Sequence, residues 1–164
     1  MDLEQPQSPQ TPPTMDGPVG LGGWMVLPLL GLVAAPIALA SLGYSEVAGL
    51  AEVWSFFSLY QKSTFAFIAL ILAALLVAAP LALLVFAFKR LEVFPGLFIL
   101  WLWALPIAAI VIGLATFCAF RETTTFADVF DRDTIRDVGQ SVVQGVIWTL
   151  YMNHSRRVQN TFVN

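Results

Sequence analysis

The sequence is short of nearly everything from which active sites are assembled. Its 164 residues include one cysteine and one histidine, and only 12% of the chain is charged. Because Cys118 is alone, one chain cannot form an internal disulfide or a multi-cysteine zinc or iron–sulfur site. Its expected role is that of a small buried hydrophobe in an apolar run. His154 is equally alone, so a bis-imidazole haem within one chain is excluded, and a polar position at a helix end near water is expected. Eight Lys and Arg stand against eleven Asp and Glu, a net charge of −3, with no basic stretch that would serve nucleic acid. Residues Met1 to Gly23 carry neither Lys nor Arg. The positively charged start of a secretory signal is missing there, so the first hydrophobic segment is expected to be retained.

What is present is apolar: 58% of the residues are hydrophobic, which lies outside the range of soluble globular domains. The run Thr64 to Phe88 holds no charge. As a helix rising about 1.5 Å per residue it would be about 37 Å long, enough for a hydrocarbon core of about 30 Å with some tilt. A segment over 24–43 reads as an earlier span, with Trp24 at headgroup level and Pro28 and Pro36 predicting a kinked, packed helix. Pro95 opens a third span over 96–120, with Pro106 inside it. Apart from the Cys118 thiol, no ionisable side chain interrupts these three segments, and so the usual mark of an ion or proton pathway is missing.

The fourth span is weaker. Val138 to Asn153 is uncharged but contains Gln140, Ser141, Gln144 and Thr149, and a spanning length over 134–153 requires Arg136 and Asp137 to reach back to the interface. Gln140 and Gln144 lie one turn apart on one face. That face is expected to point into the bundle as interhelical glue, because a bare amide in lipid is costly.

Between Ser45 and Ser63, Val47, Leu50, Trp54, Phe57 and Tyr60 recur at helical spacing, predicting a short interfacial helix packed against its own bundle. The Pro-rich stretch 1–22 predicts a disordered tail. The connector from Arg121 to Asp137, with Asp128, Asp131 and Asp133, predicts a solvated loop. The fold class is therefore all-α: a polytopic membrane protein with four transmembrane helices and a short interfacial helix, forming one domain over 23–164.

The two ends of the span region carry a resemblance. Gly22-Gly23-Trp24 precedes the first span, and Ser155, Arg156-Arg157-Val158 and Thr161-Phe162 follow the last. Together they resemble the YdgK-like family of small bacterial inner-membrane proteins of unknown function, in which four spans lie between a Gly-Gly-Trp start and a Ser-x-Arg-Val-x-x-Thr-Phe end. The likeness brackets about 22–162; the Pro-rich tail lies outside the pattern. It implies a multi-pass protein of the bacterial inner membrane and supplies no reaction.

Four spans place both termini on one side. With the termini inside, the inner face holds Lys89, Arg90, Arg156 and Arg157 and the outer face Lys62, Arg121, Arg132 and Arg136, four against four. The inner cations crowd a short turn and a helix end, while two of the outer arginines lie deeper in an acidic loop, favouring cytoplasmic termini. With no catalytic, cofactor or metal constellation, the expected function is non-enzymatic: an accessory or assembly subunit whose partners are membrane lipids and other membrane protein subunits. The competing reading is a small transporter, as a single chain or a homodimer. It rests on the kinking prolines and on the likeness between Leu32–Leu39 and Leu76–Leu83, which coincidence in Ala- and Leu-rich text also explains. The residues marked for interaction are Gly22, Gly23, Trp24, Gln140, Gln144, Ser155, Arg156, Arg157, Thr161 and Phe162.

Overall fold

A computed structural model describes residues 20–162, with side chains described outside 42–53. The tail expected over 1–22 thus lies largely outside the described residues, as do the side chains of Val47 and Leu50. Among the described residues all regular structure is helical. A 3₁₀ turn at Gly23–Met25 leads into α1, Val26–Val53, and a second at Trp54–Phe56 follows it. Next come α2 (Leu59–Ala73), a π-helical segment (Ala74–Ala78) and α3 (Ala79–Phe88), continuous as one rod. Then follow α4 (Phe94–Phe120), the single turn α5 (Phe126–Val129), α6 (Arg132–His154) and α7 (Arg156–Thr161).

Three of these helical stretches are long and apolar enough to cross a membrane: Gly23–Ser41, Leu59–Phe88 and Phe94–Phe120. They make this a multi-pass membrane protein. Large apolar side chains such as Leu30, Ile37, Leu70, Leu100 and Ile107 stand exposed on their outer faces. In water such a surface would drive aggregation; against lipid it is matched to its solvent.

The separate interfacial helix is not seen as an element of its own. Its first half continues α1 without a break to Val53, and its second half is divided between the 3₁₀ turn and the start of α2. Elongating a helix already formed adds a hydrogen bond per residue ordered, whereas a new helix must first be nucleated. Nothing between Ser45 and Val53 stops elongation: the segment has no proline, and its one glycine, Gly49, is not followed by a cap. Of the stripe's described side chains, Phe57 packs on the bundle, Trp54 rests on Phe57 and Phe65 while remaining exposed, and Tyr60 is exposed. Phe57 meets Phe65 at 5.2 Å and Phe120 at 5.8 Å between ring centroids. Ser58 caps α2 in a reciprocal box with Gln61, whose side-chain amide also donates to the Ala119 carbonyl at 3.4 Å, tying the start of α2 to the end of α4.

The prolines act differently from one another. Pro28 sits in the first turn of α1, where a missing N–H costs no helical bond, so only Pro36 interrupts that helix. Pro80 is buried and follows the π-helical segment. The matching octapeptides therefore differ in local geometry: Leu32–Leu39 lies wholly in α-helix, whereas Leu76–Leu83 begins in the π-helical segment.

Pro80 also explains a hydrogen bond between helices. Ala79 N–H turns to the Ala74 carbonyl, five residues back, and position 80 has no N–H to offer. The Leu75 carbonyl loses both of its ordinary helical donors, and Trp101 Nε1 of α4 donates to it at 2.7 Å. The most extensive helix pairing joins α4 to α6. Trp103 lies over Gly145 and donates from Nε1 to Thr149 Oγ1 at 3.2 Å, while Phe130, just before α6, sits on Gly113. Low positions on α4 thus meet high positions on α6, and the two run antiparallel.

Candidate functional site: the terminal junction

The residues that carry the resemblance lie at opposite ends of the chain, and the fold brings most of them together. Gly20 N–H donates to Thr161 Oγ1 at 2.9 Å, and the same hydroxyl donates to the Arg157 carbonyl at 2.7 Å. Thr161 is buried, with 4% of its surface exposed, and its hydroxyl is fully engaged as acceptor and donor. The Arg157 guanidinium lies across Gly22 and Gly23: a β-carbon built on either would come within 3.2 Å and 3.1 Å of Nη1. Gly23 also has φ +64°, a left-handed conformation that a side chain disfavours. The two glycines therefore do one job, letting the Arg157 guanidinium come close to the backbone.

Beneath this contact Met25, Val158 and Phe162 are buried. Phe162 stacks on Phe94 at 4.9 Å, Phe94 on Phe98 at 5.7 Å, and Phe98 meets Trp101 at 5.8 Å. A ladder of four rings thus runs from the terminal junction to the Trp101 indole, which holds the Leu75 carbonyl. The junction is the end of the core rather than an appendage to it. The sequence places Trp101 in the first half of the third span but does not reveal its alignment with Phe94 and Phe98, although their spacing of four and then three residues marks one face of α4.

Ser155 ends α6 and begins α7, with an extended backbone that breaks the helix. Around it, Gln159 Nε2 donates to the Asn153 carbonyl at 3.1 Å, and His154 Nδ1 lies 3.0 Å from the Leu150 carbonyl oxygen. Trp24, 72% exposed, and Arg156 belong to the same end but face outward. Among the described residues no group of three or more His, Cys, Asp or Glu is arranged to hold a metal ion.

Gln140 and Gln144 stand apart from this junction. They share a face of α6, as their spacing requires, yet that face is exposed rather than turned into the bundle. α6 instead buries Gly145 and Met152. The packing goes with this orientation: the Trp103 indole lies over Gly145, which turns that side of α6 toward α4.

The far end of the bundle is built by carboxylate caps. Thr125 and Asp128 form a capping box around α5, Asp128 Oδ2 accepting from Thr125 N–H at 2.8 Å and from its hydroxyl at 2.6 Å. Asp131 Oδ1 caps α6, accepting from Thr134 N–H at 2.8 Å. Hydrogen bonds from the Thr125 side chain and then its backbone hold the Asp128 carboxyl below its ordinary pKa. Those from Thr134, backbone first, do the same for Asp131. Two of the four aspartates between Arg121 and Asp137, Asp128 and Asp131, are thus spent on helix starts.

A family model described as "Protein of unknown function (DUF2569)" matches residues 18–163. That description carries no YdgK-like name, so the finer likeness rests on the terminal motifs alone. No curated protein and no solved structure matches the chain. With the match running from just before the Gly-Gly-Trp start to just beyond Phe162, the chain belongs to the DUF2569 family of proteins of unknown function.

Proposed function

We propose that this protein is a non-enzymatic integral membrane subunit, an accessory or assembly component of a larger membrane complex, with α6 as a fourth span and both termini in the cytoplasm. The observation that carries this reading is the terminal junction. Its inward chemistry is hydrogen bonding and stacking within the fold, while its outward groups, Trp24 and Arg156, suit contact with headgroups or a partner rather than turnover of a substrate.

The fourth span is supported by the stripe Ile135, Val142, Val143, Val146, Ile147 and Leu150, exposed along α6 beside a helix that can cross a membrane. Its 23 residues give about 34 Å. With α6 spanning, Lys89, Arg90, Arg156 and Arg157 gather at one end in a short turn and a helix end, and the equal number of cations at the other end, Lys62, Arg121, Arg132 and Arg136, is spread among the carboxylate caps. The tighter cluster supports a cytoplasmic junction in a bacterial inner membrane.

One observation favours the transporter reading: a π-helical segment within the second rod, where membrane proteins often place ligand sites. Yet the carbonyl it frees is already held by Trp101, and the adjoining groove of about 290 Å³ is lined by apolar residues from Leu75 to Ala104. Purification in mild detergent with quantification of co-eluting proteins tests the subunit reading. A stoichiometric membrane partner, lost on joint Trp24→Ala and Arg156→Gln substitution, is expected; a protein that purifies alone and moves a solute in vesicles would support the transporter instead.

A further inference from the structure

We propose that α6 is the contact surface for a second copy of this chain, the two copies meeting through Gln140 and Gln144. The inference rests on α6 being the fourth span. Trp103 sits at the level of Gly145 and Thr149, and Gly113 at the level of Phe130. Gln140 and Gln144 fall between these heights, beside the middle of α4 and so near the centre of the bilayer. Both amides are exposed there, pointing away from the chain's own helices. An amide facing lipid at that depth has no hydrogen-bond partner and is strongly disfavoured.

The occupant that best answers this chemistry is the same helix. A primary amide carries both donors and an acceptor, and is therefore complementary to itself. Two copies inserted in the same orientation are related by a two-fold axis along the membrane normal, which sets their α6 helices parallel. Gln140 then faces Gln140 of the second copy, and Gln144 faces Gln144, each amide donating to the other's oxygen. The approach is open. Gly139, exposed and immediately before Gln140, has no atom within 4 Å of where a β-carbon would sit, so a second backbone can come close. Val143 and Ile147, both exposed, continue the same stripe at helical spacing and provide its apolar packing. An unrelated partner would need its own matching amides at two heights one turn apart; symmetry supplies them without further assumption.

The test uses the full chain in native membranes, with Cys118→Ser as background because Cys118 is exposed. Val143→Cys should form a disulfide-linked dimer on mild oxidation, whereas Leu30→Cys and Leu70→Cys, on the exposed faces of other helices, should not. In mild detergent the wild-type chain should run at twice its mass. Gln140→Leu with Gln144→Leu, changes that suit lipid and leave the chain's own packing untouched, should weaken dimerisation about tenfold. A monomeric wild type, equal cross-linking at the control positions, or a dimer indifferent to the double leucine variant would each overturn the proposal, and a fixed cross-link from position 143 to a different protein would replace it. Reaction of Val143→Cys with an impermeant thiol reagent would overturn it by removing the fourth span. A protected thiol in a monomeric chain would overturn the second copy alone.

Discussion

Trp101 Nε1 donates to the Leu75 carbonyl oxygen at 2.7 Å, and through that single bond α4 holds the one place where the second rod departs from α-helical geometry. Pro80 creates the need and the indole meets it. Replacing Trp101 by Phe keeps most of the ring's packing on Phe98 but removes the donor. An unsatisfied carbonyl at this depth should lower stability by about 1–3 kcal/mol. The measurement is thermal unfolding in a fixed detergent; an unchanged midpoint would mean that water or a rearranged backbone satisfies Leu75.

At the terminal junction, Gly23→Ala should destabilise more than Gly22→Ala. Both introduce a β-carbon against Arg157, but only Gly23 is also left-handed, which adds about 1–2 kcal/mol. Arg157→Lys should cost measurable stability because an ammonium cannot lie flat on the two glycines, whereas Arg156→Lys should be silent in the unfolding assay. If both lysine variants unfold alike, the guanidinium contact contributes nothing to the fold.

Gly113 lies under the Phe130 ring, with a built β-carbon only 2.7 Å from Cζ. Gly113→Ala should therefore push Phe130 off α4 and loosen α6, at a cost of about 1–3 kcal/mol. Phe130→Leu in the same chain should recover much of that loss by making room. Absence of rescue in the paired variant would place the damage elsewhere.

Arg90 occupies the left-handed position of the turn that ends α3, φ 54°, with Arg90 N–H bonded to the Ala87 carbonyl and Leu91 N–H to the Phe86 carbonyl. Glycine is the residue this motif favours. Arg90→Gly should raise the unfolding midpoint by relieving about 1 kcal/mol of backbone strain. If the arginine is retained for its charge, the same variant should also increase the fraction of chains inserted with reversed topology, scored by labelling Thr124→Cys in intact cells.

The two capping aspartates have depressed pKa values, so their contribution is present above the unfolded carboxylate range and is lost as pH falls through the folded values. Carboxyl resonances of Asp128 and Asp131 should titrate with midpoints below the ordinary carboxylate value. Asp131→Ala should lower the protection of the Thr134 amide against exchange at neutral pH, measured relative to the intrinsic rate. Ordinary midpoints for both would show the caps to be absent in solution.

The sequence by itself determined the class of molecule, since uncharged runs as long as Thr64 to Phe88 have few other uses, and hydrophobic length is a local property that needs no neighbour to be read. It also marked both ends of the chain, through motifs that are short and contiguous. Pairing was beyond its reach. That Arg157 would settle on Gly22 and Gly23, that Phe162 would open a ring ladder ending on Trp101, and that Gly145 rather than Gln144 would face α4 are long-range facts, decided by which surfaces interlock. The helical wheel of α6 showed Gln140 and Gln144 sharing a face but could not say which neighbour would take it. Only the tertiary structure decided that, because one large indole on α4 fits over a glycine and so turns the amides outward.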